Sequence, residues 1–182
     1  MSNFIGLSGS ARAGKDTAAK YLIENHGYVK VSFADPIREA LYRLNPYVHT
    51  IEGSAVSLAQ VVDISGWEGA KEISPEYRIL MQRFGTEVGR EMFGEDFWVN
   101  IAIKKAQKYE KVVFADCRYS NEADAIRSIG GEVWRVERSG VGPVNSHTSE
   151  IALDSYNFDR TILNNGSLEN FYSDLAKIFN NN

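Results

Sequence analysis

Gly9-Ser10-Ala11-Arg12-Ala13-Gly14-Lys15-Asp16-Thr17 directly follows the apolar run Phe4-Ile5-Gly6-Leu7. Strand, glycine-bounded loop, lysine and then helix is the order of a phosphate-cradling P-loop. The glycines let the backbone curl so that its N–H groups turn toward phosphate oxygens. The helix expected from Gly14 to Asn25 turns its positive end toward the same anion. Lys15 would add a full charge at the β/γ bridge of a bound triphosphate. The usual pattern has Ser or Thr after the lysine, as a magnesium ligand. Here Asp16 stands in that place and Thr17 follows, so the motif is the variant G-x-x-x-x-G-K-D-T. A carboxylate also suits a hard cation, which makes Asp16 and Thr17 both candidate Mg²⁺ contacts. Asp16 can equally serve as a first-turn acid that favours the helix dipole. A ligand-free glycine turn would not require both glycines, the lysine and both flanks together.

The 182 residues are enough for one domain with a real core and short for two. Net charge is −4, with Lys and Arg spread along the chain, which argues against a nucleic-acid coat or a binder of anionic membranes. A nucleotide ligand needs only a local basic pocket and stays allowed. Cys117 is the single cysteine, which excludes an internal disulfide and a Cys-rich zinc site and suits a reducing cytoplasm. The first apolar run is short and leads straight into the loop, so no signal peptide is expected. No apolar stretch approaches the roughly 20 residues that span a bilayer.

Strand and helix patterns alternate. Strands are expected at Phe4–Ser8, Tyr28–Phe33, Lys111–Asp116, Glu132–Glu137 and Arg160–Leu163. Asp35-Pro36 reads as the capped start of a helix that stops near Asn45-Pro46. Ser74-Pro75-Glu76 starts another, which can run past Gly85 to Arg90. Further helices are expected at Asp96–Gln107, at Asn121–Ile129, and after Ser167. Segment 47–73 has little period and reads as a partly helical insert over a substrate site. The alternation predicts an α/β protein: a three-layer P-loop NTPase fold with a parallel five-stranded sheet flanked by helices. A single domain over 1–182 would carry a helical acceptor-binding insert at about 35–95 and a lid at about 138–150.

In open parallel sheets, ligands sit at the carboxyl ends of the strands. Asp35 and Arg38 follow the second strand, Asp116 and Arg118 the third, and Arg135 and Arg138 the fourth. Four apolar residues before Asp116 are the pattern of an acid that supports Mg²⁺ beside a P-loop, or else of a cap for the next helix. Arg135 and Arg138 frame a Gly/Pro-rich loop, as arginines of a closing lid would, or form a pair on a strand edge. Arg83 and Arg90 lie seven apart and share a face if their helix is unbroken. They would grip an acceptor phosphate or form a stripe paired with Glu87 and Glu91. His147 reads as a loop contact, and no nucleophile elbow points to a triad.

Six stretches, in order, resemble the deoxynucleoside monophosphate kinases of tailed bacteriophages, within the P-loop nucleoside monophosphate kinase-like fold. They are residues 9–17, Phe-Ala-Asp-Pro-Ile-Arg-Glu-Ala-Leu at 33–41, Gln-Arg-Phe-Gly-Thr-Glu-Val-Gly-Arg at 82–90, Asp-Cys-Arg-Tyr-Ser-Asn-Glu at 116–122, His-Thr-Ser-Glu at 147–150 and Ile-Leu-Asn-Asn-Gly-Ser-Leu at 162–168. The resemblance implies transfer of the ATP γ-phosphate to a dNMP, giving dNDP and ADP, with Mg²⁺ as cofactor. By position it implies that Gly9, Ser10, Ala11, Arg12, Ala13, Gly14, Lys15, Asp16 and Thr17 hold ATP phosphates. Asp16, Thr17 and Asp116 then stand on the metal side. Asp35, Arg38, Gln82, Thr86, Arg90, Arg118, His147 and Glu150 face the acceptor. Arg135 and Arg138 are lid arginines, catalytic together with Lys15, and Asn164 and Gly166 neighbour the ATP base. The implied partners are ATP and dNMP, not nucleic acid or membrane. The implied place is the cytoplasm, of a host if the chain is phage-encoded. Apolar helices spread along the chain are compatible with a homodimer. A kinase of another phosphorylated acceptor, of the dephospho-coenzyme A or phosphomevalonate type, shares the scaffold, and a nucleotide-binding switch protein is the rival from a different class.

Overall fold

The computed structural model describes residues 2–140 and 153–180. Its elements begin β1 (Phe4–Ser8), α1 (Lys15–His26), β2 (Val29–Val31), α2 (Asp35–Leu44), β3 (Tyr47–His49), β4 (Ala55–Ser57), α3 (Leu58–Ile73) and α4 (Pro75–Arg83). A π-helix (Phe84–Arg90), α5 (Glu91–Phe93), α6 (Phe97–Ala106), β5 (Val112–Phe114), α7 (Ser120–Ser128), β6 (Glu132–Glu137), β7 (Arg160–Leu163) and α8 (Leu168–Asn180) follow. The chain divides into two compact units, Met1–Phe33 with Ala102–Asn182, and Ala34–Ile101.

The first unit is built on a five-stranded sheet in the order β2-β5-β1-β6-β7, parallel throughout. Alternation along β1 makes it three layers deep. Ile5 and Leu7 are fully buried in a cluster with Ala18 and Leu22 of α1 and Phe171 and Leu175 of α8. Gly6, on the other face, meets Ile126 of α7 and Val133. A side chain at Gly6 would overlap Ile126, so α7 lies close against the central strand. The expected α/β architecture with helices on both faces is therefore present, and it puts the phosphate-loop strand in the middle of the sheet.

Several boundaries differ from the sequence expectation. The second strand is only Val29–Val31, because Ser32 and Phe33 leave the sheet to bond Asp116. Asp116 lies two residues beyond β5. Asp35 sits in the first turn of α2 and Ala34 takes the cap position, with αR backbone angles.

In the second unit, segment 47–73 contains a β3–β4 hairpin as well as a helix. The helix α3 is capped by Ser57, whose hydroxyl accepts the Gln60 N–H, and it is kinked at Gly66 (φ 69°, ψ 175°). A small core joins Leu41, Val48, Leu58, Val61, Ala70 and Tyr77. The helix expected to run past Gly85 does continue, but as a π-helix: the Glu91 N–H bonds the Thr86 carbonyl, five residues back. The cause is steric. The Trp98 indole donates to the Gly85 carbonyl at 2.9 Å, and a side chain at Gly89 would overlap that same ring.

Candidate active site

The loop after β1 is fixed by its neighbours. Gly9 has φ +133° and Gly14 φ +113°, where side chains rarely go. A Cβ at Gly9 would overlap the Val136 carbonyl of β6, and one at Gly14 the Asn164 amide that follows β7. Arg12 adopts φ +65°, a left-handed conformation that costs a non-glycine residue roughly 1–2 kcal/mol. Such strain concentrates where backbone is shaped for a ligand. Gly14 is the N-cap of α1 and has no side chain with which to cap the first-turn N–H groups. That is the chemistry of an anion site at a helix start. The Lys15 ammonium folds back over its own loop, donating to the carbonyls of Gly9 (2.5 Å) and Ser10 (2.8 Å).

Because β5 and β6 flank β1, their carboxyl ends converge on this loop. A cleft there is lined by Ser8, Gly9, Ser10 and Lys15, by Cys117 and Arg118 after β5, by Arg135, and by Leu153 and Asp154. Two of the expected arginines, Arg118 and Arg135, thus share a cleft with Lys15. Arg135 is not carried on a loop: it is the fourth residue of β6, and its side chain is half-buried. Its guanidinium lies 2.8 Å from the Glu137 carboxylate and 3.4 Å from that of Asp154, and packs over the Phe158 ring. Arg138, one residue past β6, is exposed. His147 and Glu150, and most of segment 138–150, lie outside the described residues.

Arg118 is exposed, but its backbone is anchored. The buried Glu122 carboxylate accepts the N–H groups of Arg118 (2.7 Å) and Tyr119 (3.1 Å). Cys117 is buried, and burial first, then the carboxylates of Glu122, Asp116 and Asp124, push its thiol pKa well above the usual value. A thiol held protonated in this way is a poor nucleophile.

Asp116 accepts the Ser32 hydroxyl and, at 2.9 Å, the Phe33 N–H. Asp16 is exposed and pairs with Lys30 at 3.0 Å. Thr17 is half-buried in the first turn of α1. Among the described residues no three acidic, His or Cys side chains cluster to hold a metal by themselves. This donor set of separate hard oxygens fits Mg²⁺ carried by substrate phosphates, the usual way that ion is held at a phosphate site. Asn164 turns its amide to the Ala13 carbonyl at 2.8 Å, and Gly166 lies against Asn170.

The remaining expected residues belong to the second unit. Asp35 lies 3.5 Å from Arg38, which also lies 3.9 Å from Glu68. Gln82 and Thr86 are exposed and Arg90 is half-buried. Arg83 pairs with Glu87 at 3.0 Å on an exposed surface. The π-helix between Arg83 and Arg90 removes the α-helical register that would have put them on one face. Sequence reasoning missed Asp154, the Leu153 carbonyl, Glu122, Ser32 and Lys30. Their contacts join residues distant in the chain and carry no local motif, except the short-range link from Glu122 to Arg118.

No helix among the described residues is long and apolar enough to cross a membrane. Among solved structures, the dephospho-CoA kinase of Campylobacter jejuni superposes with a TM-score of 0.48 at 16% identity, covering 99% of this chain and 96% of its own. A likeness at that level says nothing about the acceptor. A relative from Acanthamoeba polyphaga mimivirus, named provisionally as a deoxynucleotide monophosphate kinase, is 30% identical and covers 97% of this chain and 96% of its own length. The deoxynucleotide monophosphate kinases of Escherichia phage RB69 and Enterobacteria phage T4 are 27% and 25% identical, over 96% and 93% of this chain and 98% and 95% of theirs. The deoxynucleotide monophosphate kinase family matches residues 3–76 and 70–175. The match runs through both units, and the chain belongs to that family: it is an ATP-dependent nucleoside monophosphate kinase.

Proposed function

We propose that this chain moves the γ-phosphate of Mg-ATP onto a deoxynucleoside monophosphate, giving dNDP and ADP for DNA synthesis. The observation that carries the reading is the cleft in which the Gly9–Thr17 loop, Lys15, Arg118 and Arg135 converge at the carboxyl ends of three neighbouring strands. Three cationic side chains around one anion-shaped loop suit a reaction between two polyanions.

The acceptor phosphate oxygen is already nucleophilic at neutral pH, so no strong general base is needed. The protein's task is to hold donor and acceptor in line and to offset their repulsion. The loop N–H groups and Lys15 bind the donor phosphates. For Lys15 to do so it exchanges the Gly9 and Ser10 carbonyls for phosphate oxygens. Arg135, already oriented by Glu137 and Asp154, supports charge on the transferred group, and Arg138 adds charge from the segment after β6. Asp16, Thr17 and Asp116 would hold the metal or its waters. When bound, Mg²⁺ supplies neutralisation and polarisation of the phosphates. The 34–101 unit is the acceptor side in this reading, with Asp35, Arg38, Gln82, Thr86 and Arg90 as its contacts. A single buried free cysteine supports a reducing cytoplasm as the working compartment.

The test is ADP release from Mg-ATP with dAMP, dGMP, dCMP, dTMP and their ribose forms as acceptors, and dephospho-coenzyme A as a control. Strong stimulation by deoxynucleotides is expected, with no response to dephospho-coenzyme A. Bound ATP with no stimulation by any mononucleotide would contradict the reading.

A further inference from the structure

Asn164 stands just beyond β7, and sequence reasoning sets it beside the ATP base. Its actual bonds are with the protein backbone. Its N–H donates to the Glu137 carbonyl at 2.7 Å, which extends the β6–β7 pairing by one residue. Its side-chain amide donates to the Ala13 carbonyl at 2.8 Å. Ala13 is buried, so its carbonyl needs a partner inside the protein. The amide comes so close to the loop that a side chain at Gly14 would overlap it, and the Phe171 ring lies against the same position. The next residue repeats the device: the Asn165 side-chain oxygen accepts the Ser139 N–H at 2.6 Å.

We infer that Asn164 is a positioning residue for the phosphate loop, acting through the Ala13 carbonyl and not through the donor's base. A peptide group has its C=O and N–H on opposite sides. Fixing the Ala13 carbonyl toward Asn164 therefore turns the Gly14 N–H the other way. Asn suits the task because its amide gives a directional donor without adding charge beside a polyanion site. Asp would present only acceptor oxygens to a carbonyl, and Lys would bring a mobile charge. The inference rests on the reading of Gly9–Thr17 as the site of the donor's phosphates.

Calorimetric binding of three ligands to the full chain tests it: Mg-ATP, magnesium tripolyphosphate, which has no base or sugar, and the best dNMP acceptor. The variants are Asn164→Leu, close in shape and without a donor, and Asn164→Ala. Loss of a hydrogen bond to a buried carbonyl is expected to weaken Mg-ATP and tripolyphosphate by the same factor, roughly tenfold, and to leave dNMP binding unchanged. Weakening of ATP alone would return Asn164 to the base and overturn the inference. So would unchanged binding of both donors, equal weakening of the dNMP, or loss of the fold in both variants, which would make Asn164 a general scaffold residue. Failure of the wild-type chain to bind either ATP or tripolyphosphate would strike the phosphate-loop reading itself, and the brace with it.

Discussion

A Cβ added at Gly9 or Gly14 would overlap the backbone of β6 or the amide of Asn164, whereas at Gly53 or Gly66 of the 34–101 unit it would meet nothing within 4 Å. The first pair is held by contact with strands and side chains far away in sequence. The second pair only needs its own backbone angles, as turns and kinks do. Ion pairs follow much the same division, the half-buried Arg38–Asp35 pair of the 34–101 unit excepted. Around the phosphate loop, Arg135 is half-buried between two carboxylates, and Glu122 is buried under the Arg118 backbone. In the 34–101 unit, pairs such as Arg83–Glu87 and Arg43–Glu39 are exposed. The difference teaches where precision is required. A loop that must aim several N–H groups at one polyanion is over-determined, and the surface of the other unit is free to vary. The π-helix departs from that pattern too, since Gly89 is matched to the Trp98 ring as closely as Gly14 is to Asn164, and the Gly85 carbonyl accepts from the same ring.

The largest expected effect comes from removing the charge at the loop. Lys15→Ala should lower kcat by on the order of 10²–10³, the usual scale for losing one electrostatic contact to the transition state. Its melting temperature should stay near wild type, since the ammonium bonds carbonyls of its own loop and the buried core of the sheet is left intact. Near-normal turnover in a folded variant would remove the contrast at its root.

Next is a pair of glycine substitutions. Gly9→Ala combines a positive φ with a backbone overlap, so it should cost more than the ~1–2 kcal/mol of left-handed strain alone and weaken ATP binding. Gly53→Ala pays only the backbone term and should leave both substrates' binding unchanged. Denaturant melts and ATP titrations of the two variants would show equal losses if the contrast were mistaken.

Trp98→Phe keeps an aromatic ring but leaves the Gly85 carbonyl without its donor. It should destabilise by roughly 1–3 kcal/mol, read by urea unfolding. A change below a few tenths would mean that the glycines alone wind the π-helix. The smallest effect is expected at Arg83→Ala, because an exposed i,i+4 ion pair contributes only about 0.3–0.5 kcal/mol. A large rise in the acceptor's KM in that variant would instead give Arg83 a substrate role and break the bland reading of that surface.

The loop and its strand could be read from sequence because their signals are local: an apolar run, two glycines and a lysine within a dozen residues. The sheet was legible for the same reason, with Val112–Phe114 and Glu132–Glu137 standing out as short apolar or alternating runs. The β3–β4 hairpin was not, since its strands are three residues long and only Val48 is buried in the first of them. The π-helix needed knowledge that Trp98 packs on Gly89. Besides Glu137, the partners of Arg135 come from positions 153 and 154, and Asn164 meets a carbonyl 151 residues earlier in the chain. Residue types suggested that each of these matters, but only the strand order tells what each one touches.

Phosphorus NMR of one sample containing the protein, Mg-ATP and a dNMP tests the central claim most directly. The account predicts dNDP and ADP appearing in equal amounts, and both formed on the order of 10²–10³ more slowly by Lys15→Ala. ADP with inorganic phosphate and no dNDP, or dNDP made equally well by Lys15→Ala, would contradict it.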